Sequence, residues 1–302
     1  MSTNSKKYLF AIDLDGTVLS NSLTNDIHPI TEKAIKRAIQ EGHIVTIITG
    51  RPWRSTQPTY ERLGLRTIVG NYNGAHIHNP KDEYFQQYIS HVNLNEMLYI
   101  LGDKRVKESI SNIAFEGPGW VQLDKRDENL ERVFGFDTAV KFAVGLDLTK
   151  LPLKPTGVII DIREGVDAAR LKRYLDRKFG DLGEFSYWSK GEGLTPVLDI
   201  VDVGVKKSKV ISLLIRYYDI ELKNTISFGD GLNDLSMFRT THIAVAMANS
   251  EEEVKKTSTV ISTLRNDEGA VGAYINYFLE NAEEEIEKSD KVRKKIIEPT
   301  IF

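Results

Sequence analysis

The strongest constraint on the fold is a pattern that occurs twice, a short and nearly unbroken apolar run ending in an acidic, glycine-bearing turn. Lys7-Tyr8-Leu9-Phe10-Ala11-Ile12 meets Asp13-Leu14-Asp15-Gly16-Thr17, and Thr225-Ile226-Ser227-Phe228 meets Gly229-Asp230-Gly231-Leu232-Asn233-Asp234. Apolar runs without alternation suit strands covered on both faces, as in a parallel sheet. Open parallel sheets take their ligands at the carboxyl ends of the strands, where both acidic turns would fall.

The segments between the two runs keep the alternation of strand and helix. Thr31 to Gln40 has helical spacing, with Gly42 as a stop signal, and the β-branched run His43 to Thr49 ends in Gly50-Arg51-Pro52. A short strand at Arg66 to Val69 leads to Asn71-Tyr72-Asn73-Gly74-Ala75. The middle reads differently: amphipathic helices are predicted over Asn93 to Ile113 and Val166 to Phe179, and strands over Val133 to Val144 and Gly157 to Ile162. Turn clusters at Glu116-Gly117-Pro118-Gly119 and Lys190-Gly191-Glu192-Gly193 punctuate it. Helices at Ser208 to Tyr218 and Asn233 to Arg239, and a strand at Ile243 to Met247, then resume the first rhythm. The fold expected is α/β, a Rossmann-like parallel sheet over 6–82 and 197–282 interrupted by an inserted α/β cap over 83–196. The charge-rich stretch beyond, 283–302, reads as a solvated terminal helix.

The chain has 302 residues, enough for two domains and a sizeable core. Its 40 Lys and Arg against 43 Asp and Glu give no basic field for nucleic acid or an anionic membrane. The absence of cysteine removes disulfides, thiol nucleophiles and Cys-ligated zinc. No run approaches the roughly 18 apolar residues of a membrane span, and the expectation is a cytoplasmic protein, a monomer or small homo-oligomer.

The acidic turns are the chemistry-bearing feature. An EF-hand reading of Asp13-x-Asp15 fails, because the sixth and twelfth positions are Val18 and Thr24 where Gly and Glu are needed. GxxxxGK[ST], GxSxG, HExxH and GxGxxG are absent. What remains is a carboxylate cluster suited to a hard divalent cation such as Mg²⁺, with a phosphate ester as its natural companion. One of the paired carboxylates would attack phosphorus while the other handles the leaving group's proton.

In combination, Asp13-Leu14-Asp15-Gly16-Thr17, Thr49-Gly50-Arg51-Pro52, Asn73-Gly74-Ala75, Lys206 and Gly229-Asp230-Gly231-Leu232-Asn233-Asp234 resemble the Cof-type branch of the haloacid dehalogenase-like phosphatases, over about residues 6 to 282. The resemblance implies Mg²⁺-dependent hydrolysis of a small phosphorylated metabolite under a cap. It makes Asp13 the nucleophile and Asp15 the acid and base. Mg²⁺ would sit between Asp13, the backbone carbonyl of Asp15, and Asp230. Leu14, Thr49, Gly50, Lys206 and Asn233 would hold the phosphoryl oxygens, and Asp234 would orient the lysine or a metal-bound water. Arg51 and Asn73 are possible substrate contacts.

The chain departs from the family pattern in having Lys207 after the motif lysine, and Ala248 in Val245-Ala246-Met247-Ala248-Asn249. The register from Asp199 selects Lys206. Rival readings are a phosphotransferase or mutase using the same aspartyl-phosphate, and a sensor that binds a phosphorylated metabolite without turnover. His76 and His78 alternate on a strand without a third metal ligand and read as structural. Trp120, Phe134, Phe136, Tyr187 and Trp188 read as filling of the cap's core.

Overall fold

In the computed structural model, which describes residues 6–190 and 193–297, the chain builds two larger sheets. β1 (Leu9–Ile12) leads to a hairpin of β2 (Leu19–Asn21) and β3 (Asp26–Ile27), then α1 (Pro29–Gln40), β4 (Ile44–Ile47) and α2 (Trp53–Arg62). A small sheet of β5 (Val69–Asn71), β6 (His76–His78) and β7 (Tyr88–Ile89) follows. Next come α3 (Leu94–Gly102), α4 (Lys104–Ser109), β8 (Ile110–Gly117), β9 (Trp120–Leu123), α5 (Glu128–Phe134) and β10 (Lys141–Val144). The middle region closes with β11 (Gly157–Ile162), α6 (Ala168–Phe179), β12 (Glu184–Trp188) and β13 (Val197–Val201). The remainder is α7 (Lys207–Tyr217), β14 (Thr225–Gly229), α8 (Leu235–Thr240), β15 (Ile243–Ala246), α9 (Glu252–Thr257), β16 (Val260–Ile261) and α10 (Ala270–Ile297).

The first sheet is parallel throughout, in the order β16-β15-β14-β1-β4. Every residue of β1 is buried because both faces are covered. Phe10 and Ile12 meet Ala34 and Ile35 of α1 and Ile275 and Phe278 of α10, while Leu9 and Ala11 meet Val210 and Leu214 of α7 and Phe238 of α8. Unbroken apolar sequence is what a strand between two helical layers requires.

The second sheet has the order β10-β9-β8-β11-β13-β12. One of its faces, with Phe115, Ile160, Leu198 and Ile200, packs under α3, α4 and α6. Cross-strand partners in an antiparallel sheet share a face. The pairs Ile159↔Asp199 and Ser186↔Asp199 therefore place those polar residues on the other face, and Glu116, opposite Gly157, joins them. That face covers the carboxyl edge of the first sheet.

Several boundaries differ from the sequence reading. Asn93 to Ile113 is two helices and the start of β8: the Asp103 carboxylate caps α4 by accepting from the Arg105 and Val106 amides, which restarts the chain at a new angle. Val133 to Val144 is the end of α5, a turn at Gly135 and then β10. Val197–Val201, assigned from sequence to the returning first sheet, pairs with β11 and β12 of the second. The Lys190 to Gly193 turn lies partly outside the described residues.

The charged terminal stretch is also less solvated than its composition predicts. The part of α10 beyond a break at Asn281 buries Glu285, Ile286 and Ser289. Arg293 donates to the carbonyls of Phe238, Thr241 and His242, closing the end of α8. Residues 298–302 lie outside the described ones.

Candidate active site

Asp13 follows the last residue of β1, and Asp230 follows the last residue of β14, so adjacent parallel strands deliver both carboxylates to one edge. Gly16 lets them converge: its backbone has φ +73°, and a β-carbon there would overlap the Asp230 carboxylate. Thr17 Oγ1 donates to Asp230 Oδ1 at 2.8 Å. Asp13, Asp230 and Asp234 each offer an oxygen within a 4.8 Å cluster.

The ammonium that meets this cluster belongs to Lys207, which corrects the choice of Lys206. Lys207 is fully buried and donates to Asp13 Oδ1 at 2.6 Å and to Asp234 Oδ1 at 2.7 Å. Lys206 is the residue before α7, with extended backbone, and its half-exposed side chain lies 3.4 Å from Glu184. The turn into the helix begins one residue later than the motif register implied, and it is the first helical residue that points inward.

Asp234 is held on both oxygens, its Oδ2 accepting from the Asp230 and Gly231 amides at 3.0 and 3.1 Å. The free acceptors of the cluster thus belong to Asp13 and Asp230. Burial raises the Asp13 carboxyl to about 7 against the pull of Lys207, and burial and the neighbouring Asp13 hold Asp230 well above the ordinary range. Burial opposes the charge on Lys207, but Asp13 and Asp234 outweigh it and raise that ammonium. Crowded carboxylates with one ammonium between them are the donor set a hard divalent cation fits.

Asp15 borders the same chamber as Asp13, but its carboxylate is turned to Arg51. Arg51 takes both its oxygens, at 2.7 and 2.5 Å, and also donates to Asn25 Oδ1 and the Ser22 carbonyl on the β2–β3 hairpin. Arg51 is completely buried and engaged, so it is a positioning residue for Asp15, correcting the expectation of a substrate contact. The Asp15 carboxylate is likewise no part of the acidic cluster, which leaves its backbone carbonyl for a cation.

Asp13, Asp15, Thr49, Gly50, Asp230, Gly231 and Asn233 line one chamber of about 30 Å³, closed by Trp188 from the covering sheet. Leu14 is wholly in the core, so only its backbone can serve the site. Thr49 Oγ1 accepts from the Arg51 amide at 3.2 Å. Asn73 bridges the two layers, accepting from Asn233 Nδ2 at 3.0 Å and donating to Ser186 Oγ at 3.1 Å.

The sequence reading missed the covering face. Trp188, read as core filling, donates its indole N–H to Asp199 Oδ2 at 2.8 Å, and that oxygen stands 3.0 Å from where a β-carbon at Gly50 would be. Asp199 Oδ1 is buried without a hydrogen-bond partner, and burial raises the carboxyl to about 8. Arg54 of α2 forms a fully enclosed ion pair with Glu116 of β8, joined by Tyr72 Oη and the Gly117 carbonyl. These pairings lie 62 residues apart or link separate strands, so no local spacing could reveal them. His76 and His78 stack at 4.1 Å and bond Gln87 and Asn71, in agreement with a structural role.

Comparison with known proteins then decides the family: the haloacid dehalogenase-like hydrolase model matches residues 10–275. The chain is a haloacid dehalogenase-like hydrolase. It falls among the Cof-type phosphatases of that enzyme family, as its motifs implied. A protein of Metamycoplasma hominis provisionally named a phosphatase in the upp 3'region is 57% identical over 272 residues, covering 90% of this chain and 96% of that one. The 5-amino-6-(5-phospho-D-ribitylamino)uracil phosphatase YitU of Bacillus subtilis is 29% identical, over 90% and 98% of the two chains. The fold matches a haloacid dehalogenase-like hydrolase from Bacteroides thetaiotaomicron with a TM-score of 0.70 at 22% identity, covering 90% of this chain and all of that one. No helix among the described residues is long and apolar enough to cross a membrane.

Proposed function

We propose that this hydrolase cleaves a small phosphorylated metabolite through a phosphate ester of Asp13, with Mg²⁺ as cofactor. The observation that carries the reading is the set of buried Asp13, Lys207 and Asp234 with half-buried Asp230, in which Asp13 and Asp230 each keep an oxygen free of side-chain donors. Mg²⁺, held by Asp13, Asp230 and the Asp15 carbonyl, would neutralise phosphoryl charge. The remaining chemistry belongs to the chain. A carboxylate oxygen of Asp13 bonds to phosphorus as the ester P–O bond breaks, and its electron pair leaves with the alcohol oxygen, which takes a proton from Asp15 once that carboxyl, protonated, has left its pair with Arg51. Water then attacks phosphorus, giving its proton to Asp15, and the Asp13–phosphorus bond breaks to release phosphate. Lys207 steadies Asp13 for in-line attack and offsets its charge. Thr49, Gly50 and Asn233 border the chamber where the phosphoryl oxygens would rest.

Phosphate release across sugar phosphates, nucleotides, cofactor phosphates and an aryl phosphate, with Mg²⁺ or EDTA, tests this. Metal-dependent release is expected, lost by at least about 10³-fold in Asp13→Asn. Wild-type turnover in that variant would sink the nucleophile assignment.

A further inference from the structure

The chamber over Asp13, about 30 Å³ and closed by Trp188, is much smaller than the space beside it, so the rest of a substrate needs room elsewhere. Beside it, and sharing Asn233 as a wall, a cleft of about 190 Å³ opens between the two layers. Its sides are Lys172, Glu184 and Ser186 of the cap and Lys206, Ser236 and Arg239 of the core. The Asn233–Asn73–Ser186 hydrogen-bond chain runs from this shared wall to the far side of the cleft.

The charges of the cleft are unlike those of the chamber. The chamber gathers Asp13, Asp15 and Asp230, whereas the cleft adds Lys172, Lys206 and Arg239 against the single carboxylate of Glu184. Lys172 is committed to Asp176 at 2.7 Å, and Lys206 stands only 3.4 Å from Glu184, which also accepts from the Gly204 amide. Arg239 makes no hydrogen bond or ion pair among the described residues and projects its five donors beside the cleft. A guanidinium and an ammonium lining one polar cleft are a recognition device for a carboxylate or phosphate.

Resting on the phosphatase reading, we propose that the cleft holds the leaving group and that Arg239 and Lys206 bind a second anionic group on it, a phosphate or carboxylate. The preferred substrates are then phosphate monoesters of alcohols that are themselves anionic. The scissile phosphate enters the acidic chamber, where a cation held by Asp13 and Asp230 would offset its charge, and the second anion stays with Arg239 and Lys206.

The test compares matched pairs that differ in the second anion, a hexose bisphosphate against the hexose monophosphate and a phosphoglycerate against glycerol phosphate. The wild-type enzyme is expected to show a KM about 10–100-fold lower for the member of each pair that carries the second anion. The Arg239→Gln/Lys206→Gln double variant should erase that ratio while kcat for the same substrates moves little. Phosphate release without the ratio, or a ratio that survives in the double variant, overturns the cleft assignment and leaves the phosphatase reading standing. If no ester is hydrolysed, that reading fails, and calorimetric titration of the bisphosphate still decides the cleft. Equal affinity for the wild type and the double variant overturns it.

Discussion

At the scale of single residues, the site is a set of charges that only make sense together. Lys207 neutralises Asp13 and Asp234 at 2.6 and 2.7 Å, and no second ammonium reaches them among the described residues. Asp199 has no such partner: its one donor is the Trp188 indole, and its carboxyl is raised to about 8. An unfolded aspartate titrates near 4, so between these values the folded chain keeps a proton that the unfolded chain releases. Stability therefore falls as pH rises through this window. Asp199→Asn removes that dependence while preserving shape. Its melting temperature should match the wild type near pH 4 and exceed it by at least roughly 2–4 °C at pH 8. Thermal melts at the two pH values check this, and an offset independent of pH would refute it.

At the scale of elements, α2 and β8 are tied by the Arg54–Glu116 pair, enclosed on both sides and backed by Phe136 under the guanidinium at 5.4 Å. Removing one partner strands a buried charge, so Arg54→Met and Glu116→Leu should each cost about 3–5 kcal/mol. The double variant should lose much less than their sum, since two apolar side chains replace two charges. Urea unfolding of the three variants gives the coupling, and additive losses would show that the pair does not join the layers. The same scale shows what sequence can and cannot announce. β1 and β14 were legible because a strand buried on both faces must be apolar throughout. The join of α4 to β8 was not, because Val106, Ile110 and Ile113 satisfy helical spacing and end on one apolar core regardless of the turn between them. Asp13, Asp230 and Asp234 were legible as strand-end carboxylates. The choice between Lys206 and Lys207 depends on where a helix makes its first turn, and Trp188, Asp199 and Glu116 reach the site only through pairing of strands in a second sheet.

At the scale of the whole molecule, the acidic edge should make folding and cation binding one equilibrium. A ligand that binds only the folded chain stabilises it by about 2.7 kcal/mol at a concentration one hundred times its Kd. Saturating Mg²⁺ should then raise the melting temperature by roughly 5–10 °C. The rise should be larger at pH 8 than at pH 5, because Asp13 is raised to about 7 and a metal ligand must lose its proton. Calorimetric scans with Mg²⁺ and with EDTA measure it; equal melting temperatures at pH 8 would exclude a cation at this edge.

The pairing of β1 with β14 also sets a timetable for synthesis. Ile12 and Thr225 are separated by 212 residues, and β1 has a partner on that side only once Thr225–Phe228 has emerged. At roughly 5–20 residues per second, translation needs about 10–40 s to cover that distance. Through this interval the most apolar strand of the molecule presents a bare edge to its surroundings. The strands of the covering sheet all lie between Ile110 and Val201 and can close before the sheet that anchors them is complete. All strands of the covering sheet have thus been synthesised before the first sheet can be completed, and a chain halted before Thr225 carries an open β1 edge and lacks Asp230 and Asp234.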